Sequence, residues 1–176
     1  MRIVIPELSF VLLIGPSGSG KSTFARRHFK PTEILSSDVY RGFVSDDESD
    51  QTASEDAFDA LYNVARKRLA RGRLTVLDAT NVLPESRKKA VALALEYNRL
   101  PIAIVFDLPE QVCTERTRAR ADLEVNPHVV RTQRQQMHRG LPELHSEGFR
   151  AVYRLTSVEE VDAANLVRES FQSTGA

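Results

Sequence analysis

The stretch Ser9-Phe10-Val11-Leu12-Leu13-Ile14-Gly15-Pro16-Ser17-Gly18-Ser19-Gly20-Lys21-Ser22 decides the fold. Its last eight residues match G-x-x-x-x-G-K-[ST], and the apolar run before them suits a parallel strand buried on both faces. The glycines let the backbone curl so that successive N–H groups face inward and hold phosphate oxygens. The helix that follows adds the positive end of its dipole. The reading makes Gly15, Ser17, Gly18, Ser19, Gly20, Lys21, Ser22 and Thr23 the nucleotide-binding residues. Lys21 reaches the β- and γ-phosphates, and the Ser22 hydroxyl ligates Mg²⁺ or Mn²⁺. An ordinary Gly/Ser turn at a strand end is the alternative.

Outward from this loop, strands alternate with helices. Short apolar runs predict strands at 9–14, 33–36, 74–77, 102–106 and 151–155. Helical spacing predicts helices over 21–29, 52–71, 84–98, 110–120, 129–139 and 158–171. Gly72 stops one of them and Pro84 suits the first turn of another. The pattern implies βαβ units and a single domain spanning residues 1–176. Its expected architecture is a three-layer α/β/α phosphotransferase, with a five-stranded, mostly parallel sheet and a helical lid.

Composition narrows the class. The 176 residues suit one domain with one core. A single cysteine, Cys113, excludes an internal disulfide and points to a reducing, cytoplasmic compartment. Lysine plus arginine equals aspartate plus glutamate, 24 against 24, which excludes a bulk polycation but not a local phosphate-binding surface. The longest apolar stretch, Phe10–Ile14, is far short of the roughly 20 residues that cross a bilayer. The four histidines show no metal-ligand spacing, and Cys113 reads as a small buried hydrophobe.

No Asn-Lys-x-Asp element for guanine and no Leu-Ser-Gly-Gly/Gln transporter signature occurs. A short chain with an arginine-rich, lid-like segment favours a small kinase using ATP or another NTP. Such a kinase needs a carboxylate for the acceptor hydroxyl, cationic forks for the moving phosphoryl group and a means of placing the acceptor. Asp38 follows the second strand, at the carboxyl edge of the sheet where α/β ligand sites gather, and is the candidate base. A helix N-cap is its alternative role. Arg41, one helical turn on, is the candidate acceptor contact, with a solvated surface arginine as the alternative. Arg116 and Arg120 form an i,i+4 pair that would close over the phosphates. From Arg116 to Arg139, six arginines stand against Asp122 and Glu124, a local excess of four positive charges. Asp78, after Leu74-Thr75-Val76-Leu77, reads equally as a Mg²⁺ carboxylate or as a structural partner of the loop or of Thr80–Asn81. The acidic residues from Asp46 to Asp59 read as a solvated loop and helix start.

Taken together, the loop with Thr23-Phe24-Ala25, Ser36-Ser37-Asp38 with Arg41-Gly42, Ser45-Asp46-Asp47-Glu48, and Thr75-Val76-Leu77-Asp78-Ala79-Thr80-Asn81 resemble the polynucleotide 5′-kinase domain of bacterial polynucleotide kinase–phosphatase–ligase proteins. Those proteins heal and seal broken RNA. The resemblance runs from Ile5 to about Ala163. It implies that Lys21 and Ser22 serve phosphate and Mg²⁺, and that Asp38 activates a 5′-hydroxyl. It further implies that Arg41 contacts the acceptor end and that Arg116, with Arg120, stabilises the phosphoryl group in the lid. The implied partners are an NTP and a single-stranded 5′-OH nucleic-acid end, RNA favoured. The phosphatase and ligase modules of such proteins would lie outside this chain. With no tryptophan and 7% aromatics, the acceptor footprint is expected to be a few nucleotides. A small-metabolite or antibiotic kinase and a nucleotide-gated binding module are the other readings.

Overall fold

A computed structural model describes residues 1–120 and 126–170. Asp122, Glu124 and the end of the helix expected over 158–171 lie outside the described residues.

Five strands form the main sheet: β2 (Ser9–Ile14), β3 (Ile34–Ser36), β4 (Thr75–Asp78), β5 (Leu100–Phe106) and β6 (Ala151–Leu155). Their order is β3-β4-β2-β5-β6 and every pairing is parallel. Central β2 is buried at all six positions, because both its faces are covered. Side chains alternate across the sheet, so one strand feeds two cores. Val11 and Leu13 join Phe24, Ile104, Phe106 and Cys113 on one face. Phe10, Leu12 and Ile14 join Leu61, Leu69, Ala90 and Met137 on the other.

The helices are α1 (Lys21–His28), α2 (Ser37–Ser45), α3 (Ser54–Ala70), α4 (Pro84–Glu96), α5 (Glu110–Ala119), α6 (Pro127–Gly140) and α7 (Val158–Asp162). The three-layer α/β/α expectation holds, with a sheet that is wholly parallel. None of the helices among the described residues is long and apolar enough to cross a membrane.

Two expectations are corrected. The segment 158–171 is not one closing helix: α7 ends at Asp162, and the chain then runs as β7 (Asn165–Glu169). It pairs in parallel with β1 (Arg2–Pro6), a strand the apolar pattern does not predict. In β1 only Ile3 and Ile5 carry the period-two signal, and both are wholly buried. Tyr153 of β6 braces this outer ribbon, its hydroxyl accepting from the Val4 N–H at 3.1 Å and donating to the Val4 carbonyl at 3.2 Å.

Charged side chains tie the layers together. Arg87 of α4 is fully buried and makes a bidentate pair with Glu147, Nε at 2.7 Å and Nη2 at 2.6 Å. Its Nη1 donates to the carbonyls of Asn81 and Val82 at 3.2 and 2.9 Å, fixing the segment after β4. Glu33, also buried, takes two bonds from Arg168 of β7, at 2.8 and 2.6 Å. Burial pushes the Glu33 carboxyl up, but the bonds from Arg168 and the Lys30 N–H outweigh it and hold the group below its ordinary range.

Glu147→Ala leaves the Arg87 charge buried without its carboxylate and is expected to cost about 3–5 kcal/mol, read by denaturant unfolding. An unchanged midpoint would show that the pair contributes nothing. A depressed carboxyl stabilises the fold above its unfolded pKa and loses that stabilisation as pH falls through the folded one. The melting-temperature gap between wild type and Arg168→Ala is therefore largest near neutrality and closes below about pH 4. A gap independent of pH would contradict the pairing.

Candidate active site

The loop between β2 and α1 curls as the motif requires. Gly18 and Gly20 have φ of +77° and +92°, the left-handed region that side chains rarely adopt. At Gly18 there is also no space: an added Cβ would sit 2.2 Å from the Cys113 carbonyl oxygen of α5. α1 starts directly from Gly20, with no side-chain cap and no acid in its first turn. Its first N–H groups are left for an anion.

Lys21 is buried, and its Nζ donates to the Pro16 carbonyl at 2.8 Å and contacts Ser19 Oγ at 3.5 Å. Burial lowers its pKa, while the carboxylates of Asp78 and Asp38 pull it back up. Ser22 Oγ donates to Asp78 Oδ2 at 2.7 Å. Of the two structural partners left open for Asp78, the bond is to the loop motif, at its last residue Ser22, and among the described residues not to Thr80–Asn81. Burial raises the Asp78 carboxyl, and the Ser22 bond and Lys21 charge oppose that rise. Asn81 acts elsewhere. Its Nδ2 donates to the Leu13 carbonyl at 2.8 Å, holding β2 just ahead of the loop.

Hard oxygen donors suit Mg²⁺, which keeps several waters and takes one or two protein oxygens beside substrate phosphates. Ser22 and Asp78 fit that mode. Among the described residues no group of three or more His, Cys, Asp or Glu gathers as an all-protein metal cage.

Asp38 lies in the first turn of α2, and the cap is Ser36, whose Oγ accepts from the Val39 N–H at 3.5 Å. The N-cap alternative for Asp38 is therefore corrected. Its carboxylate instead pairs with the Arg41 guanidinium. Arg41 is buried too, its Nε donating to the Glu48 carbonyl at 2.8 Å, so the surface-arginine alternative is also corrected. The acidic segment after it is a solvated turn: Asp47 and Asp50 accept from Ser49 and Thr52.

Asp38, Arg41, the loop residues Ser17, Gly18, Gly20, Lys21, Ser22 and Thr23, Asp78, Arg116 and Arg120 all line one cleft of about 930 Å³. Gly15 and Ser19 lie behind this surface, and Ser19 is fully buried. Arg116 reaches the loop, with Nη1 3.2 Å from the point a Cβ on Gly20 would occupy. Arg120 is the C-cap of α5 and has extended backbone, so the expected pair does not share one helix to its end.

Three features are not evident from the sequence motifs. Arg26 and Arg27 line the same cleft from α1. Gln133 of α6 accepts from the Ser17 N–H at 2.8 Å. Asp107, just after β5, gathers His138 at 2.6 Å, Arg154 and Arg134, pinning α6 to the sheet. Arg26 was legible as i+4 from Ser22, but a lone glutamine in a polar helix carries no motif.

Known proteins share this fold. A family model described as an AAA domain matches residues 10–144. A chain in the structure of the Pnkp1/Rnl/Hen1 RNA repair complex superposes with a TM-score of 0.69 at 22% identity, over 80% of this chain and 47% of that one. A gluconokinase from Sinorhizobium meliloti 1021 superposes with a TM-score of 0.58 at 16% identity, covering 90% and 87%. Transcription factor bHLH140 from Arabidopsis thaliana is 28% identical over 158 residues, which is 88% of this chain but only 16% of that protein. The chain thus spans less than half the length of both the RNA-repair chain and the transcription factor. With its phosphate-binding loop, parallel sheet and arginine-lined cleft, the chain has the fold of P-loop kinases and belongs to the AAA domain family.

Proposed function

We propose that the protein is a polynucleotide 5′-hydroxyl kinase, a module that moves the γ-phosphate of an NTP to a 5′-OH nucleic-acid end, RNA favoured. The observation that carries the reading is the shared cleft: the phosphate loop, the Ser22–Asp78 pair and the Asp38–Arg41 pair line one open space. The charge of that space supports a polyanionic acceptor. Lys21, Arg26, Arg27, Arg41, Arg116 and Arg120 face it against Asp38, Asp78 and Asp162, six cations to three carboxylates.

In this reading the loop N–H groups and Lys21 hold the donor phosphates. Lys21 gives up the Pro16 carbonyl to reach them. Ser22 and Asp78 would hold Mg²⁺, which neutralises charge on the phosphates. Asp38 accepts the proton of the incoming hydroxyl as it attacks in line. Arg41 spends two of its donor groups on Asp38 and the Glu48 carbonyl, so it fixes the direction of the carboxylate. Nη1 remains for the acceptor end. Arg116, and Arg120 beside it, stabilise the transferring group. The phosphatase and ligase modules that follow in the RNA-healing proteins are proposed partners of this one.

A small polyhydroxy acceptor is the second reading, favoured by the gluconokinase likeness over nearly the full length of both chains. A panel of 5′-OH oligonucleotides, nucleosides and sugars with γ-labelled ATP separates the two. Label is expected on oligonucleotides; label on sugars or nucleosides alone would replace the first reading with the second.

Asp38→Ala is expected to lower transfer by about 10²–10⁴-fold, the range of a lost general base, while ATP affinity holds. Transfer at the wild-type rate in this variant would remove Asp38 from the chemistry.

A further inference from the structure

We propose that Gln133 binds the donor's phosphate chain, acting as a neutral donor presented by α6. The inference rests on the kinase reading of the cleft.

The Ser17 N–H can only donate, so the Gln133 atom 2.8 Å away must be the amide oxygen. That assignment fixes the other end of the side chain. The two N–H donors of Nε2 take no partner among the described residues, and Gln133 lines the cleft beside the loop. A carboxamide can accept from the loop and donate to a ligand at the same time, with no charge of its own. Lysine and arginine cannot accept, and an ionised glutamate cannot donate.

The helix that carries Gln133 is held from several sides. Asp107 takes His138 at 2.6 Å and Arg134 at 3.6 Å. Arg134 Nε also donates to the Leu108 carbonyl at 3.1 Å, and Arg131 pairs with Glu110 of α5 at 3.0 Å. The Asn126 side chain caps its start, accepting from the His128 N–H at 3.0 Å. The amide is therefore placed over the loop by a fixed helix.

The alternative is a latch: Gln133 would do no more than join α6 to the loop. Gln133→Glu separates the two, because a carboxylate accepts from the Ser17 N–H as well as an amide does. A latch survives that change, whereas a phosphate-binding amide becomes a negative charge facing a polyanion. The probes are ATP and inorganic tripolyphosphate, with affinities measured by calorimetry on wild type, Gln133→Glu and Gln133→Ala. Thermal melting without ligand checks the fold.

Gln133→Glu is expected to melt like wild type and to bind both probes at least about tenfold more weakly, the scale of a hydrogen bond to a charged group. Gln133→Ala is expected to fall between them. Wild-type affinity in Gln133→Glu would overturn the proposal and leave the latch. Loss for ATP but not for tripolyphosphate would overturn it as well, since the contact would then be to the nucleoside. A wild-type protein that binds neither probe would instead bring down the kinase reading, and this inference with it.

Discussion

The approach of the 15–20 loop to α5 is the contact on which the rest depends. Gly18 lies against the Cys113 carbonyl with no space for a side chain. That closeness presses the loop between the end of β2 and the first turns of α5, so its curl is set by packing as well as by torsion. It also places Arg116, one turn after Cys113, beside Gly20. The loop and α5 are thereby built as one object. The Cys113 thiol adds nothing chemical, since burial raises its pKa, but its main-chain carbonyl forms the wall. Thr117 completes that wall by donating its hydroxyl to the same carbonyl.

The sheet order turns this local object into a cleft. β2 is central, with β4 on one side and β5 on the other, so the chain leaves the sheet edge in opposite directions from neighbouring strands. Such a point opens a crevice at the carboxyl ends of the strands. β4 delivers Asp78, β3 runs straight into α2 and delivers Asp38, and β5 leads into α5 and Arg116. Three parallel strands end within reach of one loop. Arg87, paired with Glu147, holds the chain after β4 where Asp78 must stand.

What the sequence showed and what it hid divide along physical lines. The curl of the loop, the five core strands and the position of Asp38 just after a strand were legible, because each rests on a local pattern: glycine spacing, an apolar run, a carboxylate following a strand. β7 was hidden because its alternation is weak. Two of its five residues are partly buried and three are exposed, so it carries little hydrophobic signal and reads as the tail of α7. The pairing that makes it a strand lies at the other end of the chain, in β1. Arg87, Asp107 and Gln133 were hidden for a related reason. Their partners are 60, 31 and 116 residues away, and nothing next to them in the chain reveals the match.

The charges of the cleft sort into those already engaged and those left open, and the proposed chemistry follows from the sorting. The two buried cations of the cleft both have a partner. Lys21 rests on the Pro16 carbonyl between two carboxylates, and Arg41 is bound to Asp38. At the rim, Arg26, Arg116 and Arg120 form no ion pair among the described residues. On the proposed reading, an arriving polyanion meets open guanidinium groups first and is drawn inward by them. Binding deeper in would then be an exchange of partners, with phosphate displacing a carbonyl from Lys21. The displaced group would be neutral, whereas the carboxylates would stay. Asp38 is paired with Arg41, which fixes the direction of its carboxylate. On the proposed reading, that pairing keeps the base and the phosphate-binding lysine within one small volume without letting the two pair with each other.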